Sequence, residues 1–307
     1  MTSSDPSPQA QALGQYFLQN PNGSHARNVA WQIEHRLRLA SFWDIKPGAK
    51  VLEVGCGQGD CTVVLADKVG EHGHVDAVDP GAPDYGGPYT LSQAQEFISA
   101  GPLGPRVTFH LGIDPIQYLN SLPASFVPYD YVVLSHCIWY FESPATLSQI
   151  ISTFVGKAEV LCVAEWGLRA TKVQAQPHVM TALLVANIEA KRKVPSGGNI
   201  RTVLSPDQIL ANIMESREFG LEKQEIMESN EGLKDGYWEV WEVLQERENS
   251  VKTLRNDGVS EKEVAALIAM YDAVDVSVTI LDDSGERMVG LKQVKSMDVW
   301  AARFVAL

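Results

Sequence analysis

Val51-Leu52-Glu53-Val54-Gly55-Cys56-Gly57-Gln58-Gly59-Asp60 is the stretch that decides the fold. An apolar run of strand length ends in three glycines at alternate positions, and a helical pattern, Cys61–Val69, follows. Glycines are needed where a ligand presses on the backbone, because a Cβ would block the approach. Dinucleotide enzymes use such a turn with the spacing GxGxxG and set pyrophosphate on the helix N-terminus. Here the spacing is GxGxG, and an acid, Glu53, stands two residues ahead of the first glycine. An acid at that end repels a pyrophosphate and suits a cofactor whose adjacent end is cationic.

Further runs extend the pattern outward: Val75–Val78, Val107–Leu111, Tyr131–Leu134 and Val160–Ala164. Short runs with little polar alternation predict strands buried on both faces, as in a parallel sheet. The intervening stretches, such as Cys61–Val69 and Leu91–Ser99, are long enough for crossover helices, which gives a doubly wound α/β fold. Ligands in such sheets bind beyond the carboxyl ends of the strands. Asp79, with Pro80 after it, ends the second run 24 residues past Gly55 and can accept from both hydroxyls of a ribose, in NAD as in other cofactors. After the third run stand Gly112-Ile113-Asp114, where an acid can take an adenine amino group with Ile113 against the ring; Asp114 precedes Pro115 and is equally a helix cap. Asp130 precedes the fourth run, and Ser135-His136 follow it.

Taken together, these motifs resemble the class I S-adenosylmethionine-dependent methyltransferases, on Glu53, Gly55, Gly57 and Gly59, then Asp79, Asp114 and the Asp130–Ser135 strand. The match covers about 49–166 and extends through a Leu221–Met227 and Val299–Leu307 pair similar to that family's sixth and seventh strands. The layout of the rest looks most like small-molecule methyltransferases of fungal secondary metabolism. The resemblance implies a Rossmann-like seven-stranded sheet with strand seven antiparallel. A helical cap (1–48), a core (49–166), a helical lid for the acceptor (167–215) and a C-terminal part with strands six and seven and a helical insertion (216–307) would form one catalytic domain. It further implies that Glu53 lies near the methionine amino group, Asp79 holds the ribose and Asp114 the adenine. Cys56, Pro80, Ile113, Ser135 and His136 complete the cofactor shell.

Displacement at a sulfonium needs mainly a positioned acceptor and a dry site, with a base only where the acceptor proton is tightly held. His136, at the end of the fourth strand, and Glu165, at the end of the fifth, are the catalytic candidates; a packing role for the first and a capping role for the second compete. Trp139, Tyr140, Trp166 and His178 are candidates for the acceptor wall. The N-terminal helix, read from Ser24 to Trp43, offers His25, Arg27, Trp31, His35 and Arg36, of which His25 or Trp31 could reach the cofactor.

Charge narrows the function further. The 307 residues carry 25 Lys plus Arg against 38 Asp plus Glu, a net −13, which argues against a nucleic-acid partner. Segment 167–201 balances at +5 and segment 215–264 at −7. A basic lid points to an anionic acceptor, a carboxylate or acidic phenol, with Arg201 in the turn 198–201 as its grip. Nitrogen or sulfur methylation is the alternative, and a non-catalytic partner subunit of the same fold is the alternative of another class. The breaker Pro195-Ser196-Gly197-Gly198 closes a helix read over Pro177–Lys193, and Ser205-Pro206-Asp207 opens the next. Tyr237-Trp238 and Trp241 share a helix face, read first as core and second as a homodimer face. No apolar leader or membrane-length run is seen, and the four cysteines form no CxxC pair, so a cytoplasmic protein with reduced thiols and no metal is expected.

Overall fold

The structure is a computed structural model that describes residues 5–18, 25–123, 125–194, 196, 198 and 200–307, without the side chains of 25–28. Ser24, Pro195, Gly197 and Asn199, read above as parts of a helix start, a breaker and a turn, lie outside the described residues, as do the His25 and Arg27 side chains.

Seven strands form one sheet: β1 (Lys50–Val54), β2 (His74–Asp79), β3 (Val107–Leu111), β4 (Tyr129–Ser135), β5 (Ala158–Trp166), β6 (Phe219–Met227) and β7 (Val299–Ala306). Their order is β3-β2-β1-β4-β5-β7-β6, with β7 antiparallel to both neighbours. This is the fold that the methyltransferase resemblance implies. The order reverses between β1 and β4, whose register pairs Glu53 with Val133. Their carboxyl ends therefore frame the crevice in which doubly wound sheets bind ligands.

Alternation along the strands supplies two cores. Val51, Val75 and Val133 face one side. There they meet α2 (His25–Trp43) through Ile33 and Leu37, α3 (Asp60–Val69) through Val63 and Val64, and α4 (Leu91–Ala100) through Ile98. Leu52, Val132 and Leu134 face the other. Their partners are Leu119 of α5 (Pro115–Ser121), Ile150 of α6 (Pro144–Thr153) and Ile209 of α8 (Pro206–Glu215). A third cluster unites α7 (Gln176–Glu189) with α9 (Asp235–Gln245), α10 (Arg247–Asn256), α11 (Glu261–Thr279) and α12 (Arg287–Gln293). Leu184 and Leu254 are among its buried residues. α7 and the late insertion thus form one helical body, while α8 packs on the sheet. The short α1 (Pro8–Leu13), packed on α2, and α12 fall where the sequence pattern gave no element.

Local chemistry accounts for the boundaries. Thr90, Ser205 and Ser260 each cap a helix and close a capping box with Gln93, Gln208 and Glu263. The helix read over Pro177–Lys193 stops at Glu189, because the chain turns there and the Ser196 N–H caps back onto the Glu189 carboxylate. Trp238 and Trp241 correct the first reading made of them: they are 40% and 43% exposed, since α9 turns Val240 and Leu244 inward.

Candidate active site

At the end of β1 the chain reverses through Gly55, Gly57 and Gly59, all in the left-handed region (φ +71°, +54° and +92°). L-residues disfavour that region because Cβ crowds the backbone. Two of the glycines are also fixed by packing. A Cβ on Gly55 would lie 2.6 Å from Cys137 Cβ, and one on Gly59 2.5 Å from Ile98 Cδ1. A Cβ on Gly57 would meet nothing within 4 Å, so packing leaves that space open. Asp79 faces this loop and accepts the Gly57 N–H at 2.7 Å and the Gly81 N–H at 2.8 Å. Each carboxylate oxygen keeps a lone pair for a further donor such as a diol hydroxyl. Glu53 is buried beneath the loop and accepts the Thr62 hydroxyl at 2.5 Å. Burial away from water pushes its carboxyl up to about 8. Such a group is complementary to a cation arriving from the loop side.

Asp114 caps α5, its Oδ1 accepting the Ile116 and Gln117 N–H groups at 2.9 and 3.0 Å, and leaves Oδ2 toward solvent. Ile113 is half-buried beside it, and Pro80 is exposed. Cys56 is buried and accepts weakly from Gln95, which also holds the Gly57 carbonyl at 2.8 Å.

A cavity partly open to solvent lies at the ends of β4 and β5, with His35 and Arg36 of α2 in its lining. His136 follows β4 at φ +53°, a backbone position sparsely used by residues other than glycine. Its Nε2 meets His35 Nε2 of α2 at 2.9 Å, and its Nδ1, buried without a hydrogen-bond partner, lies 3.6 Å from Glu165 Oε1. A hydrogen on Nδ1 would face the carboxylate and leave Nε2 to accept from His35. We assign that tautomer on those grounds. Burial pulls both imidazoles well below their ordinary range, so the pair is uncharged at neutral pH.

Glu165 does cap: Oε2 accepts the Ile138 and Trp139 N–H groups at 3.0 and 3.3 Å, and Oε1 the Trp166 N–H at 2.9 Å. Burial outweighs these three donors and raises it to about 7. Trp166 packs against His136, ring centroids 4.6 Å apart, and edge-on to His178 at 5.1 Å. His178 is fully buried behind the cavity wall, where Nδ1 accepts the Met297 N–H at 2.9 Å. Its hydrogen therefore sits on Nε2 and is donated to Glu239 at 2.9 Å.

Arg36, also on α2, ties the parts together. Its Nε bonds Asp60, at the start of α3, at 2.8 Å, and its Nη1 bonds Ser135 at 3.2 Å. Trp139 and Tyr140 line the cavity, Trp139 buried with its indole N–H on the Leu204 carbonyl at 3.0 Å. The Arg201 N–H bonds the Trp139 carbonyl at 2.8 Å, but the Arg201 side chain is exposed and does not line the cavity. Other cations of the lid are engaged elsewhere: Lys191 with Glu263 at 2.7 Å, Lys172 with Glu228, and Arg169 with Asp298 at 3.6 Å. The pairing of His35 with His136, and Asp235 and Glu239 on α9, are cavity features that the sequence reading missed.

The family model of protein-L-isoaspartate(D-aspartate) O-methyltransferase matches residues 28–81, which run from α2 through the glycine loop to the end of β2. The chain is an S-adenosylmethionine-dependent methyltransferase. Similar proteins span different parts of this enzyme. Methyltransferase phomM of Diaporthe leptostromiformis is 22% identical over 92% of this chain and 77% of its own. Demethylmenaquinone methyltransferase of Bacillus cereus is 42% identical over 21% of this chain and 25% of its own. Among solved structures, a cyclopropane-fatty-acyl-phospholipid synthase-like protein from Lactobacillus casei is 28% identical with a TM-score of 0.78, covering 97% of this chain and 98% of that one.

Proposed function

We propose that this methyltransferase acts on a small molecule seated in the cavity between α2 and the ends of β4 and β5. The acceptor atom still carries a proton when it arrives, and His136 with Glu165 receives that proton. The observation that carries this reading is the uncharged His35–His136 pair beside a carboxylate raised to about 7. Glu165 is a proton acceptor with an affinity near working pH, where general bases are most effective, and the uncharged His136 stands between it and His35. S-adenosylmethionine supplies an electrophilic methyl group when bound. The chain's own residues hold it and dry the site: Glu53 toward the amino group, the Gly55–Gly59 backbone along it, Asp79 on the ribose, and Ile113 with Asp114 by the adenine. Ser135 and Arg36 fix the floor at the methyl end, and Trp139 with Trp166 excludes water.

An anionic oxygen acceptor, which the basic lid suggests, gains little from this geometry. The lid cations Lys191, Lys172 and Arg169 are paired with carboxylates outside the cavity, and the cavity itself presents Glu165, Asp235 and Glu239. A place in secondary metabolism rests on the likeness to the fungal enzyme alone. Calorimetric titration with S-adenosylmethionine tests the cofactor assignment, and labelled-methyl transfer across amines, phenols, carboxylic acids, thiols and an unsaturated phospholipid tests the acceptor. Failure of S-adenosylmethionine to bind would overturn the reading. Transfer only to the phospholipid would overturn the proton-bearing acceptor.

A further inference from the structure

We propose that the cavity holds an ammonium group, so that the acceptor of this methyltransferase is a small-molecule amine bound as its cation. The inference rests on the function proposed above and narrows its substrate class. Asp235 and Glu239 are four residues apart on α9, hence on one face, and both line the cavity together with Glu165. Two like charges one helical turn apart repel each other, and burial adds the cost of taking them from water. Asp235 Oδ2 is buried without a hydrogen-bond partner. Glu239 is held in place by the fully buried His178, whose hydrogen is fixed on Nε2 by the Met297 N–H. One carboxylate is therefore aimed and the other left open.

Among the described residues lining the cavity, Arg36 is the only permanent cation, and Asp60 already engages it at 2.8 Å. A cationic ligand resolves what the protein leaves unpaired. The other walls fit the same ligand. Trp139, Tyr140 and Trp166 present aromatic surface, and an ammonium is attracted to aromatic faces as well as to carboxylates. Metal ions would want several oxygen ligands and gain nothing from the indoles. For transfer, the ammonium, held by Asp235 and Glu239, loses a proton to His136 and Glu165 in the same cavity. Its freed lone pair then forms the N–C bond as the sulfonium S–C bond breaks, which leaves an N-methylated ammonium and a neutral thioether.

The test uses the full chain without cofactor, reading tryptophan fluorescence and calorimetry. Three probes share one ring: phenethylamine, its N,N,N-trimethyl derivative and phenylpropionate. Both cations are expected to bind at least about tenfold tighter than the carboxylate. Asp235→Asn and Glu239→Gln should each weaken the cations about tenfold or more, whereas Glu242→Gln, which removes the same charge from the exposed side of α9, should change nothing. Thermal midpoints and S-adenosylmethionine affinity in the same variants show that the fold and the cofactor site persist. Should Asp235→Asn fail to fold, Glu239→Gln carries the test. The proposal is overturned if phenylpropionate binds as tightly as the amines, if neither cation binds at about 10 mM, if calcium displaces them at equal concentration, or if a folded Asp235→Asn or Glu239→Gln protein binds them as the parent does. Loss of S-adenosylmethionine binding in the parent chain would instead sink the methyl-transfer reading and leave the amine result standing.

Discussion

The glycine loop and the cavity, proposed above for cofactor and acceptor, share the carboxyl edge of one sheet and are built by opposite means. The loop is backbone. Residues 51–60 and 79–81 supply it from short windows behind two strands, and its shape follows from three left-handed glycines. The cavity is side chains. It draws His35 and Arg36 from α2, His136 from the end of β4, Glu165 from the end of β5, and Asp235 and Glu239 from α9. A site made by backbone geometry needs particular residues at a fixed spacing. A site made by converging side chains needs only that distant elements pack correctly.

Glu53 offers the largest effect by which to break this comparison, because it is a side chain serving the backbone-built site. An unfolded glutamate titrates near 4.5, and the folded one near 8, so the native state holds its proton longer. Its contribution to stability is complete below the unfolded value and is lost as pH rises through the folded one. Across that window the cofactor-free protein should lose about 4 kcal/mol from this group, at about 1.4 kcal/mol per pH unit. Glu53→Gln keeps an acceptor for Thr62 and removes the titration. The gap between denaturant midpoints at about pH 5 and pH 8.5 should narrow in the variant, the remainder coming from groups such as Glu165, whose carboxyl is also raised, and the variant should also bind S-adenosylmethionine more weakly. If the parent protein shows no such loss, the burial argument is wrong.

Next come the glycines, which should separate stability from binding. Gly55→Ala adds left-handed strain and a clash with Cys137, together about 3 kcal/mol. Gly57→Ala adds the strain alone, about 1 kcal/mol. The order should invert for S-adenosylmethionine, relative to what each variant loses in stability: the Gly57→Ala methyl enters the space left open and should cost at least about tenfold in affinity. Thermal denaturation beside calorimetric titration reads both. Equal cofactor affinity in Gly57→Ala and parent protein would show that the open space is not the cofactor's.

His136 carries the comparison into the cavity. His136→Asn removes the imidazole that faces both His35 and Glu165, and kcat should fall about a hundredfold, the usual scale of one general base. Acceptor KM should move far less, because Asp235 and Glu239 are untouched. In the parent enzyme kcat should climb as pH rises through about 7, where Glu165 gives up its proton. A fall in KM and kcat together, with a flat pH profile, would mark His136 as packing.

The same division explains what the sequence could disclose. All seven strands, the glycine loop, Asp79 and the helix opened by Ser205 follow from local patterns, and the structure contains these elements within a few residues of the expected bounds. The cavity did not follow, because no local rule links His35 to His136, 101 residues away. Charge summed along the chain does not say where the charges meet. The +5 of segment 167–201 is partly spent on ion pairs with the late insertion and neighbouring segments, while that insertion's acidity reaches the cavity through Asp235 and Glu239. In sequence Asp235 and Glu239 show only an i,i+4 spacing, which is common on solvated helix faces.

Arg201→Ala has the smallest expected effect and so sharpens the contrast most cleanly. The side chain is exposed and off the cavity lining, while its backbone N–H, which the substitution keeps, secures the turn after β4 to the lid. Acceptor KM should stay within about twofold and stability within about 0.5 kcal/mol. A tenfold rise in KM for a carboxylate or phenol would mean that the segment around residue 200 swings inward when substrate binds. The charge of the lid would then select the acceptor, and the three carboxylates of the cavity would need another partner.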